Sequence, residues 1–77
     1  MREYFNKFMI ESGFGEYYDE MNGWCNIPVS EFKGELLEKS LQLLKDAEDD
    51  LGVHLGIEYV EKESCYYRIR EIEYWRY

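Results

Sequence analysis

The sequence predicts an α+β domain: a small antiparallel sheet packed on one long amphipathic helix, with a short helix ahead of it. Three observations carry that expectation. Apolar residues recur at three and four residues between Ser30 and Leu51, they alternate from Val53 to Tyr59, and an Asn22-Gly23 turn signal interrupts an aromatic stretch. Residues 1–77 form one domain without repeat or linker. That is near the size where a single core leaves little net stability. Apolar residues make up 45% of the chain, too many for a disordered acidic tail.

Arg2 to Glu11 places Tyr4, Phe5, Phe8 and Met9 at helical spacing, a short amphipathic helix with an aromatic face, which Ser12-Gly13-Phe14-Gly15 then breaks. Glu16 to Met21 is acidic and tyrosine-rich, open to strand or loop. Trp24 to Ile27 reads as a short strand in a hairpin with Tyr17 and Tyr18, ended by Pro28. The long helix is expected from Ser30, a candidate N-cap, to Leu51. Its stripe is Phe32, Leu36, Leu37, Leu41, Leu44, Ala47 and Leu51, with Gly52 at the position of a left-handed cap. Its last turn carries Asp46, Glu48, Asp49 and Asp50, the wrong sign for the helix dipole.

Val53, Leu55, Ile57 and Tyr59 form the apolar face of a strand, and Lys62-Glu63-Ser64 turns the chain into a second one, giving a C-terminal hairpin. Apolar parity in that second strand switches near Arg70-Glu71. A β-bulge would restore a single face. The alternative is a late helix using Ile69, Ile72 and Trp75.

Seventeen Asp and Glu stand against nine Lys and Arg, a net charge of -8. A field of that sign repels nucleic acid and anionic membrane and attracts basic protein surfaces. Residues 31–51 alone hold seven acids and three bases. Glu31, Glu35, Glu38, Asp46 and Asp49, joined by Asp50, fall along the solvent flank of the long helix. They read either as a solvated face with Glu35–Lys39 pairing or as a charge row for a basic groove that normally holds phosphates. Aromatic anchors are expected from two regions. One is the acidic stretch with Tyr17 and Tyr18. The other is the last twelve residues, where Tyr66, Tyr67, Tyr74, Trp75 and Tyr77 alternate with arginines. Trp75 is the candidate anchor there.

No P-loop, dinucleotide fingerprint, calcium loop or zinc spacing is present, and His54 is the only histidine, so neither catalysis nor a metal or other cofactor is expected. Cys25 and Cys65 read as free, partly buried thiols. No signal-type or membrane-spanning apolar run occurs, and a cytoplasmic protein is expected. Small size, surplus acid, many aromatics and the lack of catalytic equipment are similar in character to many phage-encoded counter-defence proteins, among them anti-CRISPR and antirestriction proteins. No motif assigns the chain to one such family. The expected function is a small acidic protein-binding module that inhibits by occupying the nucleic-acid-binding surface of a basic defence or regulatory protein, with no direct contact to nucleic acid or membrane. Two alternatives stay open: a homodimer or larger homo-oligomer built through the C-terminal aromatic hairpin, and an accessory or antitoxin-like subunit.

Overall fold

A computed structural model describes residues 2–72. It shows the expected α+β architecture: two helices and a four-stranded antiparallel sheet. Helix α1 covers Arg2–Met9 and continues through a π-type turn, Ile10–Phe14, in which Gly13 takes a φ of 92°. That left-handed backbone favours glycine, and it swings Phe14 inward, where only 1% of it is exposed. Strand β1 (Tyr18–Asp19) and strand β2 (Trp24–Pro28) make the central hairpin, paired Tyr18 to Cys25 and Asp19 to Trp24. The Asp19 carboxylate holds the turn, accepting from the Met21 N–H at 3.0 Å and from the Asn22 side-chain amide at 2.7 Å.

Helix α2 covers Gly34–Leu51, four residues later than the expected start at Ser30. Val29–Glu31 instead forms a 3-10 turn, and Lys33, extended at φ -157°, occupies the N-cap without a side-chain cap bond. The break follows from Gly34, whose φ of 58° no helical continuation from Ser30 would tolerate. It also lets Phe32 turn onto Tyr67, ring centroids 4.6 Å apart. The helix ends as expected at Gly52, φ 69°, whose N–H donates to the Glu48 carbonyl at 3.1 Å.

The buried face of α2 corrects the expected stripe. Leu43 is 2% exposed and Leu41 55%, because Leu41 lies about 130° round the helix from the line through Leu36, Ser40, Leu43 and Ala47. Ser40 makes that line look interrupted in the sequence. Its hydroxyl, fully buried, donates to the Leu36 carbonyl at 2.8 Å and so leaves no unsatisfied group.

Strands β3 (Leu55–Glu61) and β4 (Cys65–Glu71) form the C-terminal hairpin around Lys62–Ser64. Their register runs without slip from Glu61–Cys65 to Leu55–Glu71, and the Ile72 N–H still reaches the His54 carbonyl at 2.9 Å. The expected β-bulge is therefore absent through Ile72, and Ile69 is strand, which removes the late-helix alternative at that residue. Tyr74, Trp75 and Tyr77 lie outside the described residues. The two hairpins join through β2 and β4, in the order β1-β2-β4-β3. Pairing Cys25 with Ile69 and Ile27 with Tyr67 puts Cys25, Ile27, Ile57 and Ile69 on one face, against Met9, Phe14, Leu43 and Ala47. Alternation sends Trp24, Asn26, Glu58, Tyr66, Arg68 and Arg70 to the other.

Candidate functional site

The acidic ridge forms on α2 because a 3.6-residue period carries Glu35, Glu38, Asp46 and Asp49 to within about 80° of one another, about 90–170° round from the buried line. From Glu35 to Asp49 the row extends about 21 Å along the axis. Glu35, Glu38, Asp49 and Asp50 are exposed and Asp46 is half-buried. Gln42 donates to Asp46 at 2.9 Å, and Lys45 approaches Asp49 at 3.7 Å. Such an exposed pair contributes about 0–1 kcal/mol. The expected Glu35–Lys39 pair does not form. Lys39 turns back over the Phe14 ring, its ammonium 5.6 Å from the centroid, and Glu35 and Glu38 keep no side-chain partner among the described residues. The last turn of α2 contains no basic residue.

Glu31 lies off the helix, in the 3-10 turn, where it accepts a 2.6 Å hydrogen bond from the Tyr17 hydroxyl. That bond, which stabilises the neutral phenol, pushes the Tyr17 pKa up from 10.0 to about 12. Two candidate residues from separate segments are thus brought together. Tyr18 is turned inward: half-buried, it donates to the Asn6 side-chain oxygen and meets the Phe5 ring edge-on with centroids 6.1 Å apart. Trp75 lies outside the described residues.

The outer face of the sheet holds a cluster that local alternation does not reveal. Arg68 stacks on Trp24 with its guanidinium carbon 3.9 Å from the ring centroid, donates to the Asn26 side-chain oxygen at 3.1 Å and reaches the Tyr66 hydroxyl at 2.9 Å. Beside it Arg70 donates to Glu58 at 2.9 Å, which draws the Glu58 carboxyl below its usual range. Trp24 and Asn26 reach Arg68 because β2 lies against β4, a pairing between segments some forty residues apart, whereas Glu58 reaches Arg70 across the β3–β4 hairpin.

A second feature missed in the sequence is a cavity of about 490 Å³ at the end of the sheet where β2 begins and β4 ends. Its walls include Tyr4 and Phe5 from α1, Trp24 from β2, Leu51 and Val53 from the exit of α2, and Glu71 from β4. The sequence places Tyr4 on the aromatic face of α1 without showing that it lies outside the core, where it is 66% exposed.

Among the described residues no group of three His, Cys, Asp or Glu side chains is placed to hold a metal ion, and no helix is long and apolar enough to cross a membrane. Cys25, in β2, is buried; Cys65 lies four residues along β4 from Cys25's partner Ile69. That is about 13 Å by strand rise, beyond disulfide reach. Comparison with protein-family models, with curated protein sequences and with solved structures gives no match.

Proposed function

We propose that this protein is a small acidic binding module that docks the solvent face of α2 on a basic, nucleic-acid-binding surface of a larger protein and inhibits it by competition. One observation carries the reading: the last turn of α2 is acidic and itself contains no basic residue, met among the described residues by Lys45 at Asp49 and His54 at Glu48, and exposed carboxylates continue back along one face to Glu35. Each acid at a helix C-terminus opposes the macrodipole at a cost of about 0.3–1 kcal/mol. A merely solvated face would be served as well by lysine, which would complement the dipole.

Glu35, Glu38, Asp46 and Asp49 supply the charge row, with Asp50 beside its C-terminal end, and the Tyr17–Glu31 pair stands at the N-terminal end of the same helix. Competition of this kind needs no reaction: a row of fixed carboxylates meets cationic side chains that otherwise hold phosphates, and release of counterions makes the association sensitive to salt. The test is capture of partners from the native lysate by wild type and by the triple variant Glu35→Lys, Glu38→Lys, Asp49→Lys. The expected result is a nucleic-acid-binding protein that wild type retains, that salt releases, and that the folded triple variant fails to hold. Retention indifferent to both salt and charge reversal overturns the proposal.

A further inference from the structure

The cavity at the end of the sheet lies beside the last turn of α2, and its lining states what it can hold. Tyr4, Phe5 and Trp24 supply three aromatic rings, and Leu51 and Val53 an apolar wall. Its volume, about 490 Å³, is in the range of side-chain and small-ligand sites. An apolar occupant alone would satisfy the rings, so charge decides.

Arg70 is the one cation in the lining among the described residues, and it is already engaged. Its guanidinium donates to both Glu58 oxygens, at 2.9 and 3.5 Å, and to the Glu71 carbonyl at 3.3 Å. The Glu71 carboxylate has no partner among the described residues. Leu51 is the last residue of α2, so the negative end of the helix dipole stands at the cavity wall. Aromatic faces in a negative field select cations. Trp24 already stacks with one, Arg68, on the outer side of the sheet.

We infer that this cavity is the seat for a lysine or arginine side chain of the basic partner: the stem lies against Leu51 and Val53, the cation against the rings, with Glu71 at the rim. The identity of the occupant as a protein side chain rests on the function proposed above. Leu51 closes the C-terminal end of α2 about 140–160° round the helix from the ridge acids, so a partner that lies along the ridge and seats a cation here wraps the end of the helix. The ridge supplies long-range attraction, and the cavity fixes where along the partner the helix stops.

The test uses N-acetyl-arginine methylamide as probe and its uncharged citrulline counterpart as control, each titrated into the labelled protein and followed by NMR at the Leu51 and Val53 methyls and the Trp24 indole N–H. Saturable shifts there with arginine, absent or much weaker with citrulline, are expected. Tyr4→Ala, at an exposed position, should weaken arginine binding by about 2- to 5-fold, the worth of one exposed cation–π contact, and Glu71→Gln should weaken arginine without affecting citrulline. Equal binding of the two probes would make the cavity an apolar groove and overturn the inference. So would arginine shifts scattered over the acidic surface and untouched by Tyr4→Ala. The ridge variant leaves the cavity lining intact, so failure of partner capture and failure of this titration are read separately.

Discussion

Cys25 and Cys65 are chemically distinct although both are free thiols. Burial in β2 pushes the Cys25 thiol up from 9.0 to about 12, while Cys65, at the start of β4, is half-buried. A thiol reagent at about pH 8 should label the folded protein once, at Cys65, because only the thiolate reacts; rapid double labelling read by mass would contradict the burial. The same two kinds of shift set the pH range of stability. Cys25 and Tyr17 have folded values above their unfolded ones, so their contribution is complete below pH 9.0 and 10.0 respectively and is lost as pH rises toward about 12. Glu58, hydrogen-bonded to Arg70, and Asp19, hydrogen-bonded to Asn22, are shifted the other way. Their contribution is present above the ordinary values of 4.5 and 3.8 and is lost as pH falls through the lower folded ones. Thermal melting should therefore stay level from about pH 5 to pH 8.5 and decline on both sides.

Leu41 and Leu43 make the face of α2 a measurable quantity. Leu43→Ala should cost about 2–5 kcal/mol, the range for emptying a packed site, and Leu41→Ala less than about 1 kcal/mol; chemical denaturation of the two variants decides, and equal losses would mean the helix is rotated. Gly52→Ala should cost about 1–2 kcal/mol through the backbone alone, since an added Cβ meets nothing within 4 Å at that position. The end of α2 and the C-terminal hairpin were legible in the sequence because each depends on neighbours: a glycine after an apolar period, three polar residues between alternating runs; Asn22-Gly23 marked the central turn, but the arm before it stayed open between strand and loop. The start of α2 was not, because Ser30 satisfies the pattern of a cap while Gly34 imposes the break that actually occurs. The ridge was legible for the reason the helix was, since one period places both faces. The Arg68–Trp24 stack and the aromatic cavity were hidden, because both depend on the register between β2 and β4, and nothing within either strand states which residues of the other it will face.

Over the whole molecule the charge of -8 acts before any contact is made. Steering by such a field raises the association rate with a basic partner at low salt and fades as the Debye length shrinks from about 10 Å at 0.1 M toward 3 Å at 1 M. Stopped-flow association should show a rate that falls steeply with ionic strength and a dissociation rate that responds less; a salt-independent association rate would mean that the surplus acid does not guide binding. The sheet order has a different consequence. The seam Cys25–Ile69 closes a loop that contains all of α2, whereas each hairpin is local in sequence. A hairpin on its own is marginal in water, and a sheet of three or more strands needs the seam. Neither half of the chain is then an autonomous folding unit. Cleaved in the loop between Phe32 and Gly34, the protein would yield two pieces, each nearly structureless alone, that recover the native sheet on mixing by fragment complementation, with the β2–β4 seam serving as their joint interface.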